Sequence, residues 1–282
     1  MGVRIRGVGL SSAARPFLVA GHPRSGTTVL TRLLDTHPEI EATFELGAFQ
    51  ALDTPYAEYR RGLRLGYRDR PVRGVGKGTP RSRTWASRRF VAEFRYRLWR
   101  RRHGRIRLET VAGVLSRTLG TERVGDKLPS YVFQLDDLAP LEGLDRIVIV
   151  RDCRAVTAST LARVRTGWTG RSWTERIDTP AKVAANWVRA VESMERNRTR
   201  VHVVRFEDLV EDPESCAKRI GEALGVEPGD FDLGLVRRPG GNKVCRFLDE
   251  SDLEVIEDVA GGAMRRWGYS TGDSTGRGEF ER

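Results

Sequence analysis

The sequence predicts one α/β domain: a parallel β-sheet flanked by helices, with a mostly helical insertion. Three observations predict it. Short apolar runs at Phe17–Ala20, Arg146–Val150 and Val201–Val204 are each followed by a stretch with helical spacing, and strands alternating with helices imply parallel strands joined by crossovers. The run Ile147-Val-Ile-Val150 has no polar face, as expected of a strand covered on both sides. A chain of 282 residues, 39% hydrophobic and 31% charged, has the size and balance of a single globular domain.

Each element follows in order. Phe17–Ala20 ends at Gly21, and Val29 to Leu34 then repeat at helical spacing, which gives strand, loop and helix. Arg146–Val150 runs directly into Asp152 and a helix reaching about Arg163, and Val201–Val204 is followed after a loop by a helix from about Pro213 to Leu224. Residues 1–16 and 270–282 read as loose ends. Residues 51–120 break the rhythm and form the insertion, leaving 17–50 and 124–269 as the α/β core of a single domain spanning 1–282. Inside the insertion Phe90, Phe94 and Leu98 recur every four residues with Val91 beside them, the pattern of a helix with an apolar stripe and a basic remainder.

The net charge of +11 is distributed unevenly. Residues 60–107 hold 17 Arg and one Lys against Asp69 and Glu93, or +16, so the other 234 residues sum to −5. Eleven of these arginines lie in 81–107, interleaved with Trp85, Phe90, Phe94 and Trp99. Such a segment suits an anionic surface, whether an acidic membrane or an acidic acceptor, and carries no nucleic-acid recognition motif. No apolar run approaches the roughly 18 residues of a membrane span. The basic N-terminus lacks the apolar core of a secretory signal, and Cys153, Cys216 and Cys245 have neither disulfide-scaffold nor zinc spacing. The expected location is therefore the cytoplasm, with peripheral membrane contact open, and no metal is expected.

Gly21-His-Pro-Arg-Ser-Gly26-Thr27-Thr28, between the first strand and first helix, has the frame of a phosphate-binding P-loop, except that Thr27 stands where the lysine belongs. Backbone amides at a helix start bind phosphate-like oxygens, and Arg24 adds a permanent forked cation. The missing lysine neutralises a magnesium-bound triphosphate in NTPases, so this loop suits a different anion. A second cluster, Arg151-Asp-Cys-Arg-Ala with Ser159 and Arg163, leaves the C-terminal end of a strand, where open α/β sheets bind ligands. Ser159 and Arg163 are one helical turn apart.

These motifs resemble those of the sulfotransferases that use 3′-phosphoadenosine 5′-phosphosulfate (PAPS), especially the bacterial branch related to tyrosylprotein sulfotransferases. The resemblance rests on Pro23-Arg-Ser-Gly-Thr-Thr28, Leu34-Asp-x-His37-Pro38, Val150-Arg-Asp-Cys-Arg-Ala-Val156 with Ser159, Asn186-Trp187, Arg205-Phe-Glu-Asp-Leu209 and Trp267-Gly-Tyr269. It implies a P-loop NTPase-like fold and transfer of a sulfuryl group from PAPS to a hydroxyl or amine, without a metal. It also implies that Arg24, Ser25, Gly26, Thr27 and Thr28 hold the 5′-phosphosulfate and that Arg151, Ser159 and Arg163 hold the 3′-phosphate. Phe206, where the family often has Tyr, would stand near the adenine, and Gly240, Gly241 and Lys243 match a loop that closes over the nucleotide.

For the chemistry, an oxygen acceptor needs a base and the leaving phosphate oxygen needs a cation. Glu45 falls near the family's catalytic Glu, with Glu41 and His37 as alternatives. Lys127, in Gly125-Asp-Lys-x-Pro129, matches a lysine that contacts the bridging oxygen. Two rivals stay open: a kinase-like phosphotransferase on the same scaffold, and a relative that binds an anionic or membrane surface and catalyses nothing. The acceptor could be a carbohydrate, lipid, phenol, peptide or specialised metabolite.

Overall fold

The computed structural model describes residues 14–63, 80–168, 172–236 and 247–269, and for 80–88 the backbone alone. Five parallel strands form the central sheet in the order β2-β5-β1-β6-β7. They are β1 (Arg15–Ala20), β2 (Ile40–Phe44), β5 (Arg123–Lys127), β6 (Asp145–Val150) and β7 (His202–Arg205). A two-stranded antiparallel ribbon, β3 (Thr54–Pro55) with β4 (Arg105–Ile106), closes the base of the inserted segment. The α/β class and the parallel sheet flanked by helices agree with the sequence expectation.

Alternation along the buried strands divides the core into two layers. Leu18, Ala20, Val148 and Val150 face one layer, and Phe17, Val19, Ile147 and Ile149 the other. The first layer is covered by α4 (Leu108–Leu119), α6 (Cys153–Gly167), α7 (Pro180–Arg196) and α10 (Glu250–Arg266), the second by α1 (Thr27–Leu34) and α9 (Pro213–Leu224). Between α7 and α9, α8 (Phe206–Glu211) follows β7 directly, and a one-turn helix, α5 (Leu135–Leu138), precedes β6. Because α1 and α6 leave neighbouring strands β1 and β6 toward opposite faces, a crevice opens between them at the strands' C-terminal ends, where doubly wound sheets hold ligands.

The described residues of 51–120 are mostly helical: α2 (Tyr56–Gly62), α3 (Pro80–Trp99) and α4. The stripe read from the sequence packs inward, with Phe90, Phe94 and Leu98 all buried. Tyr96 and Trp99 on the same helix are exposed, 58% and 47%. The helix α4 packs on β5, so the end of the inserted segment contributes to the sheet's own cover.

Candidate active site

The strand registers gather the candidate residues at one edge of the sheet. Phe44 of β2 and Val19 of β1 both lie opposite Lys127, and Val150 of β6 lies opposite Arg205 of β7. The residues that follow these positions, Gly21–Gly26, Glu45, Arg151 and Phe206, therefore emerge side by side.

The β1–α1 loop is built tightly. Gly21 has no room for a side chain, since a Cβ would overlap the Ile149 carbonyl oxygen. Gly26 adopts φ +100 and its missing Cβ makes space for the Phe206 ring. No side chain caps α1, which leaves the donors of its first turn to a ligand or to water. Ser25 is fully buried and its hydroxyl oxygen has no partner. Thr27 is buried beneath the loop and Thr28 faces outward. His22 is a structural member: burial pushes its imidazole down to about 4, and Nδ1 donates to the Pro23 carbonyl at 2.8 Å.

Arg24 stands on left-handed backbone, φ +76, a conformation that costs a non-glycine residue on the order of 1 kcal/mol. Its Nε donates to Ser159 Oγ at 3.1 Å, which joins the loop to α6. Arg151 donates from Nη1 to the Arg24 carbonyl at 3.4 Å and lays its guanidinium over the Phe206 ring at 4.3 Å. The neighbouring Asp152 is already committed, because it caps α6 through the Arg154 amide and pairs with the Arg154 guanidinium at 2.6 Å. Desolvation, then Arg163 and Arg151, lower the Arg24 guanidinium from its ordinary value. Three cations thus share one crevice, and a bound polyanion would relieve their repulsion. Arg163 itself is exposed and lies back beside Gly167.

Across the edge, Lys127 Nζ and Glu45 Oε1 form an ion pair at 2.8 Å, with side chains 1% and 14% exposed. Lys127 also lies 5.2 Å from the Phe44 ring centroid. Glu45, like Arg24, has left-handed backbone, φ +56. Both alternatives to Glu45 sit elsewhere. His37 precedes β2 at the opposite end of the sheet, accepts from the Glu39 amide and contacts the Glu227 carbonyl at 3.0 Å. Glu41, four residues before Glu45 on an extended strand, is about 13 Å away; burial and then Asp35 push its carboxyl up to about 8.

Phe206 is 7% exposed, wedged under Gly26 with Arg151 on its face. Its burial makes it a support for the loop and for Arg151. Gly240, Gly241 and Lys243 lie outside the described residues. Sequence reasoning missed Glu207, which accepts from the Asp152 amide at 3.1 Å and from Tyr269 Oη at 3.0 Å, and Trp187, which donates to the Arg151 carbonyl at 2.9 Å. The signal was present in the motifs that contain these residues, but only the fold shows that they converge on residues 151 and 152. Among the described residues no group of three His, Cys, Asp or Glu side chains is placed to hold a metal ion.

Comparison with known proteins adds to this geometry. The model of the sulfotransferase family matches residues 16–230, about three quarters of the chain. The nodulation protein NoeE of Sinorhizobium fredii is 27% identical over 256 residues, 83% of this chain and 55% of that protein. The chain spans about half the length of this curated relative. Among solved structures, the sulfotransferase domain from the curacin biosynthetic pathway is 19% identical with a TM-score of 0.51, covering 82% of this chain and 80% of that one. Sulfotransferase STF9 of Mycobacterium avium is 16% identical with a TM-score of 0.52, covering 91% and 77%. At these identities the likeness to the solved structures is one of fold.

Proposed function

The chain belongs to the sulfotransferase family, and from that premise we propose that it moves a sulfuryl group from PAPS to a hydroxyl or amine of its acceptor. The observation that carries this reading is the single sheet edge on which an uncapped phosphate-type loop, three arginines and an ammonium–carboxylate pair meet. The donor fits what the structure leaves unsatisfied: α1 presents free amide donors, Ser25 Oγ has no partner, and the charges of Arg163 and Arg151 disfavour that of Arg24.

PAPS supplies an activated sulfuryl group on a phosphate leaving group. The residues of the chain bind and orient it. The amides of Gly26 to Thr28, with Arg24 and Ser25, hold the phosphosulfate end, while Arg151, Ser159 and Arg163 hold the 3′-phosphate. Lys127 places its ammonium where charge develops on the leaving oxygen, and a preorganised cation there acts without reorganisation. Glu45, presented as a carboxylate by its pairing with Lys127, takes the acceptor proton at Oε1 or Oε2. Adenosine 3′,5′-bisphosphate should raise the melting temperature and Mg-ATP should not; the reverse result would favour the kinase-like reading. Labelled PAPS incubated with fractionated cell extract would then identify the acceptor.

A second surface bears on partners. On α3, exposed Tyr96 and Trp99 stack at 6.4 Å and Arg102 covers the Trp99 ring at 3.9 Å, with Arg95, Arg100 and Arg101 exposed around them. The covered ring faces are poor platforms for nucleic-acid bases, whereas amphipathic aromatics among arginines suit an anionic membrane surface. This supports a peripheral membrane contact. Co-sedimentation with phosphatidylserine vesicles tests it: salt-sensitive binding is expected, and equal binding to neutral vesicles would overturn it.

A further inference from the structure

The turn that carries Glu45 is folded around a buried carboxylate that has no part in the reaction as described above. Asp126 is fully buried. Its Oδ1 accepts from Thr43 Oγ1 at 2.7 Å and from the Leu46 amide at 3.1 Å, which brackets Glu45 on both sides. Its Oδ2 accepts from the Gly47 amide at 2.9 Å, the Ala48 amide at 3.0 Å and Tyr131 Oη at 2.6 Å. Three successive amides therefore converge on one side chain. A further layer fixes them: Tyr131 Oη accepts from the Phe49 amide at 2.9 Å, and Tyr59 Oη donates to the Ala48 carbonyl at 2.6 Å.

We propose that Asp126 is the positioning residue for Glu45, a role that rests on reading Glu45 as the base. Neighbours on a strand point to opposite faces, so β5 uses Asp126 to grip residues 43 and 46–48 and Lys127 to hold the Glu45 carboxylate. The Glu45 amide is tied in as well, donating to the Lys127 carbonyl at 2.6 Å. Left-handed backbone at a glutamate is unfavourable and persists only where the surroundings over-determine it. The five bonds to Asp126 provide that constraint. Without them the side chain would still be a carboxylate, but its direction would be unspecified, and small misplacements of a catalytic group cost large factors in rate.

Asp126→Asn keeps the size and replaces one acceptor with an amide group that cannot receive the backbone N–H bonds. With labelled PAPS and water as the acceptor, turnover should fall at least about tenfold while the KM for PAPS moves less than about twofold. Stabilisation by adenosine 3′,5′-bisphosphate should match the parent protein. Amide hydrogen exchange at Leu46, Gly47 and Ala48 should quicken by an order of magnitude or more, with β1 unaffected. The decisive arm is a double-mutant cycle: in the Glu45→Gln background, Asp126→Asn should cost nothing further. An equal loss of turnover with and without Glu45→Gln overturns the proposal, and so does unchanged exchange at 46–48. If Asp126→Asn fails to fold, Tyr131→Phe removes one of the five donors and enters the same cycle, where the absence of coupling to Glu45 is equally fatal. Should Glu45→Gln alone leave turnover intact, the assignment of the base fails, and exchange at 46–48 still decides whether Asp126 organises the turn.

Discussion

Two sets of arginines divide this molecule. At the sheet edge, Arg24 is held by Ser159, and Arg151 is held by the Arg24 carbonyl and the Phe206 ring. On α3 and in the turn that follows it, Arg95, Arg100 and Arg101 are exposed, and among the described residues they make no ion pair. Residues 60–107 carry +16 of a net +11, yet the few arginines expected to meet the donor lie in a remainder that sums to −5. The difference teaches that quantity of charge and placement of charge serve separate ends. A guanidinium fixed by neighbours recognises one anion geometrically, and a crowd of solvated ones attracts any anionic surface in a salt-dependent way.

Breaking the placed set should have the largest effects. Glu45→Gln removes the base and should lower turnover by about 10²- to 10⁴-fold, with nucleotide binding retained in a thermal-shift titration. Lys127→Ala should cost about 10²- to 10³-fold in kcat and also some stability, because it strands a largely buried carboxylate. Full turnover in this variant would remove Lys127 from the reaction. Arg151→Ala should weaken adenosine 3′,5′-bisphosphate by about 10- to 100-fold, the worth of a charged hydrogen bond, as read by calorimetry. The contrast is sharpened by reversing charge in the other set: Arg100→Glu with Arg101→Glu should abolish binding to anionic vesicles and change nucleotide affinity less than about twofold. A comparable loss of nucleotide binding there would erase the distinction between the two sets.

The smallest effect concerns stability and lies in neither set. The Glu41 carboxyl is raised to about 8 in the folded protein, so the native state keeps a proton that the unfolded chain releases near pH 4.5. Its contribution is whole below pH 4.5 and disappears as pH rises through 8. Glu41→Gln should therefore stabilise the protein by about 1 kcal/mol at pH 9, with the gain vanishing toward pH 4.5 in melting curves.

Much of this was legible in the sequence wherever the signal was local. The helix from Pro213 to Leu224 and the strand ending at Val150 lie where the pattern put them, and the loop motif names its own place between β1 and α1. What escaped was set by tertiary partners. Val124-Gly125 marks a strand end in the sequence, but the burial of all five residues of β5, Arg-Val-Gly-Asp-Lys, does not show there, because Arg123 meets Asp145, Asp126 meets five donors and Lys127 meets Glu45. β2 at the sheet edge is short, and nothing in its composition announced it. The burial of Phe206 under Gly26 depends on residues 180 positions apart, which no local pattern shows. Glu41, Glu45 and His37 could not be separated by spacing, but the direction of β2 separates them at once.

β5 hydrogen-bonds to β1 on one side and to β2 on the other. Deleting or duplicating a single residue within Arg123–Lys127 would exchange the faces of the carboxylate and the ammonium, sending each to the other's partners. The β3–β4 ribbon, by contrast, is a separate two-stranded sheet, so a change of register there shifts no strand of the central sheet. A protein engineer retargeting this scaffold would therefore hold the count of β5 fixed, because one step of register there takes Asp126 and Lys127 away from their partners together.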